Sequence, residues 1–145
     1  MLSVKKASLL VAFLVASVPI SSQEPARQND PCFEKASTQS DMTTCATEGL
    51  KKADAELNLV YQQLLKKHAA RKKFISKLKL AEEAWVKFRD AHIESLYSGS
   101  EEDQAGAEGS VYPTCKAMEI TRLTVERTKT LKNMLDHQEG DVCAF

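Results

Sequence analysis

The chain has 145 residues, with 20 basic and 20 acidic side chains and four cysteines. Its length suits a single domain. Lys5 and Lys6 lie in an N-terminal segment that we predict to be removed, and without them 18 basic and 20 acidic residues remain. This balance argues against nucleic acid as a partner, because nucleic-acid-binding proteins usually carry a strong basic excess. The cysteines include no C-x-x-C spacing, so neither a zinc site nor thioredoxin-like redox chemistry is expected.

Residues 1–22 show the order of features typical of a secretory signal peptide. Lys5 and Lys6 precede a mostly apolar run over residues 9–20, and the small residues Ser21 and Ser22 follow it. This run is short for a hydrocarbon core of about 30 Å, so an uncleaved anchor is the less favoured alternative. The sequence predicts cleavage near Ser22, a periplasmic or secreted chain, and no stable membrane insertion after cleavage.

The first long helix is predicted from about Thr38 to Ala69, after an extended segment at residues 23–37 that begins polar and proline-bearing. Thr38 and Asp41 form a capping-box pattern, which indicates a helix start. Beyond it, apolar or small residues recur with the three-four spacing of one helix face. The members of this face are Met42, Cys45, Ala46, Gly49, Ala53, Leu57, Val60, Leu64 and His68.

A basic run follows at residues 66–73. We interpret it as a solvated helix end, where cations suit the negative end of the helix dipole. The run contains neither glycine nor proline. The sequence therefore leaves open whether the chain turns here or continues as one kinked helix.

The second helix has the clearest pattern, an apolar stripe that alternates by four and three and predicts packing against partner helices. Trp85 lies in the middle of this stripe and is predicted to be a core anchor. His92 is interpreted as an interface histidine, in preference to a catalytic or metal-binding one. The stripe consists of Phe74, Leu78, Ala81, Trp85, Phe88, His92 and Ser95.

Residues 98–110 contain three glycines and four carboxylates, which predict an acidic loop. The carboxylates belong to Glu101, Glu102, Asp103 and Glu108.

Pro113 suits the first turn of a third helix, predicted from about Thr114 to Leu135 and closed by Gly140. Its stripe is weaker, because Thr124 and Arg127 interrupt it. The inward-facing residues are predicted to be Ala117, Ile120, Leu131 and Met134.

Together these elements predict an all-α fold, a small antiparallel bundle of three helices with disulfide staples, in a domain over residues 38–137 with a tail at 138–145.

A bridge between Cys32 and Cys45 closes a short loop and would stabilise the fold by roughly 3 kcal/mol. A bridge between Cys115 and Cys143 is marginal. A helix over residues 115–135 is about 30 Å long, whereas eight extended residues return at most about 26–29 Å. It requires a short helix or a tail running straight back, and is preferred because free thiols are unusual in an oxidising compartment.

Four groups of residues occur in a characteristic order. They are Cys32 with residues 38–42 (TQSDM) and 45–46 (CA), residues 53–58 (ADAELN) with 60–61 (VY), residues 84–91 (AWVKFRDA), and Cys115 with residues 124–127 (TVER) and Leu131. Together they resemble the N-terminal domain family of the lysozyme inhibitor LprI. The resemblance covers roughly residues 32–135 and implies a small exported helical domain. One branch of that family binds and inhibits lysozyme.

The chain departs from the family pattern at two places. The family often has a cysteine where this chain has Ile93, and the usual partner of that cysteine would correspond to Cys115. Cys143 is an extra cysteine that could compensate. A longer acidic loop replaces the family's Gly-Gly-Ser stretch.

The polar residues of these motifs have a structural interpretation. Asp54 and Asn58 lie four apart on one helix face, and with Arg89 and Arg127 they are predicted to form a polar network at the helix junction. An acid–base pair of Asp54 and Glu56 is disfavoured, because a bundle this small offers little room for a substrate cleft.

Two functions follow as hypotheses. The first is a binding protein that inhibits lysozyme, with the acidic residues steering it towards a cationic partner; a solvated linker is the alternative interpretation of that loop. The second is an envelope accessory module that binds another protein. Catalysis, a metal and a cofactor are not expected, because the sequence shows no nucleophile–base pair, metal-ligand spacing or phosphate-binding loop.

Overall fold

The computed structural model of the protein describes residues 30–98 and 111–136. Within these ranges the chain forms four helices and no strand, so the all-α prediction is confirmed. The helices are α1 (Pro31–Lys35), α2 (Gln39–Lys67), α3 (Lys72–Leu96) and α4 (Tyr112–Asp136). The predicted signal peptide, acidic loop, Gly140 and C-terminal tail lie outside the described residues.

Helix α1 lies in the segment that the sequence predicts to be extended, so the fold has one helix more than the three predicted. The Asp30 side chain accepts a hydrogen bond of 2.9 Å from the backbone N–H of Cys32, and Pro31 occupies the first turn. This cap followed by proline is a helix-start signal. The Cys32–Cys45 disulfide, with a Cα–Cα distance of 5.7 Å, is confirmed and fastens α1 to α2.

Helix α2 begins and ends close to its predicted bounds. The Thr38 hydroxyl accepts from the backbone N–H of Asp41 at 3.1 Å, and the Asp41 carboxylate accepts from that of Thr38 at 2.9 Å. Hydrogen bonding of the Asp41 carboxyl group lowers its pKa, and the Thr38 side chain is the largest cause, before the backbone N–H groups of Thr38 and Ser37. After Lys67 the chain turns over residues 68–71 and starts α3 at Lys72, so the kinked-helix alternative is wrong.

The three long helices run up, down and up. At one end the Thr43 and Thr114 hydroxyls are 2.9 Å apart, and the Tyr112 hydroxyl donates to the carbonyl of Tyr97 at 3.0 Å. At the other end Lys67 Nζ donates to the carbonyl of Leu135. Helices α2 and α4 are therefore parallel neighbours, and α3 is antiparallel to both.

Helices α2 and α4 form the closest helix pair. Near the α2–α3 turn, Val60, Leu64, Leu78 and Leu131 form an aliphatic cluster. Towards the disulfide the core changes character. There α2 buries Cys45, Ala46 and Ala53, and α4 buries Thr114, Leu123, Thr124 and Thr128. Small side chains allow helix axes to approach closely. Thr124 is fully buried and therefore belongs to the packed face of α4, which corrects the prediction that it interrupts this face.

The stripe predicted on α3 is only partly correct. Leu78 is buried, but Phe88 is 59% exposed and Trp85 only half-buried, so Trp85 is not a core anchor. Ile93, which the stripe omits, is buried instead. The half-buried Arg89 lies on α3 between Trp85 and Ile93. A long polar side chain fits here because α3 packs less closely on its neighbours than α2 and α4 pack on each other.

Helix α4 bears on the second predicted disulfide. It continues to Asp136, so one of the two geometries that would allow a Cys115–Cys143 bridge, a short helix, does not occur. Cys115 forms no disulfide with any described cysteine. Cys143 lies outside the described residues, and its pairing stays a prediction.

Two fully buried threonines of α4 allow a matched stability test. Thr114 Oγ1 accepts from the Gln39 amide at 2.7 Å and shares a hydrogen bond with Thr43, whereas Thr124 Oγ1 has no hydrogen-bond partner among the described residues. We expect Thr114→Val to destabilise by about 1–3 kcal/mol, because it removes two hydrogen bonds and leaves the part-buried Gln39 amide without this acceptor. Thr124→Val should be neutral or stabilising. Urea unfolding measures both, and a larger loss for Thr124→Val would contradict this.

His68, which follows α2, predicts a dependence of stability on pH. Its ring lies 4.5 Å from that of Phe74, and its Nε2 is buried without a partner in the described part of the chain. Burial, then Arg71 and Lys67, lower the pKa of His68 below 6.5. Protonation therefore favours the unfolded chain. The stability that the neutral ring contributes is present above pH 6.5 and is lost as the pH falls through the lowered pKa.

We expect the urea midpoint to fall less between pH 7 and pH 5 in His68→Gln than in the native chain. His92→Gln, at a histidine without a buried unpaired nitrogen, is the control. A proton NMR titration midpoint for His68 at or above 6.5 would contradict the interpretation.

Candidate binding surface

A surface groove of about 290 Å³ lies between α2 and α3. Helix α2 turns the half-buried Leu57 and Tyr61 towards it, one helical turn apart. The groove exists because α3 packs less closely on α2 than α4 does. Its lining residues are Leu57, Asn58, Tyr61, Lys79, Glu82, Glu83, Trp85 and Val86.

Trp85 packs against a cation. The Arg89 guanidinium lies 5.3 Å from the Trp85 ring, within the range of a cation–π interaction. Arg89 donates to Asp90 at 2.9 and 3.0 Å, and its Nη1 lies 4.0 Å from the Asp54 carboxylate. The half-buried Trp85 thus brings to the wall of the groove an indole ring with a cation packed over it.

A carboxylate of the groove is paired with an arginine of α4. Arg127 on α4 donates from two nitrogens to Glu82, with 3.1 Å from Nε to Oε1, and both side chains are half-buried. The four polar residues predicted to form one network are therefore divided. Arg89 is next to Asp54, Arg127 binds Glu82, and Asn58 lines the groove without a side-chain hydrogen bond to another described residue.

The groove offers recognition chemistry. Burial is the main cause that raises the pKa of the Tyr61 hydroxyl above its usual value, and Glu82 and Glu83 add to it; the hydroxyl is thus a hydrogen-bond donor at neutral pH. Glu82 is compensated by Arg127, and Glu56, the partner in the disfavoured acid–base pair, binds Lys132 instead. The described residues contain no group of three or more metal-ligating side chains that could hold an ion.

A second polar cluster joins α3 to α4 outside the groove. Arg122 donates to Glu119 at 2.9 Å and to Glu126 at 2.7 Å, and His92 Nε2 lies 3.8 Å from Glu119. The hydrogen bond from Arg122 is the largest cause that lowers the pKa of Glu119. The approach to Glu119 places His92 at the interface between α3 and α4, as predicted. Within α3 its ring also stacks on Phe88 at 5.8 Å between centroids.

The groove is not recognisable from the sequence, although most of its residues belong to the family motifs. Glu82 stands outside these motifs, and the sequence contains no signal that pairs it with a residue 45 positions later. The predicted partner-binding residues Glu101, Glu102, Asp103 and Glu108 lie outside the described residues. Among described residues, no helix is long and apolar enough to cross a membrane.

Comparison with known proteins gives the family. The family model described as lysozyme inhibitor LprI matches residues 32–131. The chain belongs to this family. The LprI match begins in α1, ends in α4 and includes every residue of the groove. The chain is also similar to an uncharacterized protein of Rhizobium meliloti (strain 1021), with 29% identity over 148 positions that cover 92% of this chain and 97% of the relative. No solved structure gives a significant match.

The Glu82–Arg127 pair beneath the groove predicts a difference between two charge substitutions. We expect Arg127→Gln to destabilise by about 1–3 kcal/mol, because it leaves a half-buried carboxylate without its cation. Lys132→Gln removes the pair with Glu56, in which both side chains are about half exposed, and should cost less than about 1 kcal/mol. Urea unfolding at neutral pH compares the two. Equal losses would show that the buried pair is no more important than the exposed one.

Proposed function

We propose that the protein is an exported, non-enzymatic binding protein that inhibits a lysozyme. The match to the lysozyme inhibitor LprI over residues 32–131 is the observation that carries this proposal. Export is supported by the order of charged, apolar and small residues at positions 1–22. The Cys32–Cys45 disulfide agrees with it, because disulfides persist in oxidising compartments.

The groove between α2 and α3 supplies the contact chemistry. Tyrosine, tryptophan and arginine dominate the energetics of protein interfaces. Tyr61 and Trp85 line this groove, and Arg89 lies over the Trp85 ring. The contact between the Arg89 guanidinium and the Trp85 ring restrains these two side chains before a partner arrives. A pre-ordered surface loses less side-chain entropy on binding than a mobile one.

The acidic residues at 101–108 supply long-range attraction. Their segment connects Tyr97 to Tyr112, whose rings meet edge to face at 5.0 Å and whose hydrogen bond ties the end of α3 to the start of α4. Many lysozymes are strongly cationic. Four carboxylates close together in the sequence would accelerate encounter with such a surface.

The test measures lysis of a cell-wall substrate by several lysozyme types, with the oxidised chain of residues 23–145 present. We expect inhibition. We expect Trp85→Ala to weaken it mainly through faster dissociation, and neutralisation of the four acidic residues mainly through slower association at low salt. The charge-matched control neutralises the exposed Glu34, Glu48, Glu94 and Asp136.

The outcomes separate the parts of the proposal. Folded protein that inhibits none of the lysozymes would contradict the function itself. Inhibition that persists unchanged in Trp85→Ala, with the fold verified by circular dichroism, would instead contradict the assignment of the groove. Equal slowing of association in the acidic variant and its control would show that only the net charge of the protein matters, and not the position of these four carboxylates.

A further inference from the structure

The α2–α3 turn carries a concentration of positive charge, and Arg71 within it stacks on the Phe74 ring at 5.1 Å. No acidic residue occurs between Glu56 and Glu82, whereas seven basic ones do. Six of these form what we call the basic end, and all six are exposed. The basic end consists of Lys66, Lys67, Arg71, Lys72, Lys73 and Lys77.

The lysines of the basic end have no carboxylate partner among the described residues. Lys66 and Lys67 lie in the last turn of α2, where cations suit the helix dipole, and Lys67 also donates to the carbonyl of Leu135 near the end of α4. A structural role therefore accounts for these two.

Lys72 and Lys73 have the opposite placement. They occupy the first turn of α3, which contains no acidic residue and has no side-chain cap. Cations at a helix N-terminus are unfavourable, and that end favours anions. Helix α2 of the same chain begins with a complete capping box instead. Local preferences broken in this way are expected where a surface serves a ligand.

The arrangement of the cations suits an extended anionic surface. They come from the end of α2, the turn and the first two turns of α3. None of the six lines the groove, whose only lysine in the described chain is the neighbouring Lys79. Leu80 is 54% exposed and lies on the same face of α3 as Lys73 and Lys77, which precede it by seven and three residues. An exposed apolar side chain beside lysines is characteristic of helices that lie on lipid headgroups.

We propose that the basic end docks the protein peripherally on a bilayer that contains anionic phospholipids, with the lipid phosphates around the start of α3. Clusters of four to eight basic residues bind such surfaces. This surface is distinct from the groove, so the proposal does not depend on the inhibition of lysozyme.

The experiment measures co-sedimentation of residues 23–145, which contain the whole described fold, with vesicles of phosphatidylcholine alone or mixed with phosphatidylglycerol. The test variant is Lys72→Gln/Lys73→Gln/Lys77→Gln. The control, Lys35→Gln/Lys51→Gln/Lys52→Gln, removes the same charge from exposed lysines outside the basic end. Circular dichroism verifies the fold of each.

We expect binding to the anionic vesicles that is largely lost at about 0.5 M salt. The test variant should bind about tenfold more weakly or worse, and the control should stay within about threefold of the native chain. Leu80→Gln should weaken vesicle binding while leaving binding to soluble polyphosphate unchanged.

Three results would overturn the proposal. They are a lack of preference for phosphatidylglycerol, equal losses in the test and control variants, and tight binding to polyphosphate without binding to vesicles. The last would assign the basic end to a soluble polyanion.

Discussion

The close packing of α2 against α4 is the constraint on which the rest of the structure depends. Small residues on α2 and buried threonines on α4 bring these parallel helices together. Two parallel helices that are consecutive neighbours in space require a connection that returns along their length, and α3 supplies it. The disulfide and α1 reinforce the end where the core contains threonine and alanine, whose burial contributes less hydrophobic free energy than leucine.

The looser contact of α3 follows from this pairing. Because α2 and α4 bury much of their apolar surface against each other, less of it is left for α3 to cover. Only Leu78 and Ile93 of the α3 side chains are therefore buried. Half-buried polar residues complete the interface, with Arg127 reaching across from α4 to Glu82. The groove is therefore a product of how the core is divided among the helices.

Features that depend on neighbouring residues could be predicted from the sequence. The capping box at Thr38, the proline near the start of α4 and the thirteen-residue separation of Cys32 and Cys45 gave correct helix bounds and one correct disulfide. The family was predicted correctly because its motifs preserve an order along the chain. Helix α1 also has a local signal, Asp30 followed by Pro31. It was not predicted because the polar composition of the segment indicated an extended chain.

Features set by distant residues could not be predicted. The choice between Phe88 and Ile93 as the buried residue depends on how far α3 rotates about its axis, and a periodic stripe does not determine that angle. Threonine is ambiguous for a similar reason, because its methyl group packs while its hydroxyl can bond a backbone carbonyl one turn earlier, as Thr128 does. The partner of Arg127 depends on the register between α3 and α4.

The up-down-up path also determines the distance between the two ends of the bundle. Helix α2 alone, with 29 residues, is about 43 Å long. The Debye length at physiological ionic strength is about 8 Å, so the field of the lysines at the α2–α3 turn is screened before it reaches Tyr97 and Tyr112, which flank the acidic segment. The two ends are electrostatically independent. The lysines of the basic end therefore act on a partner locally, although the whole chain carries no formal net charge.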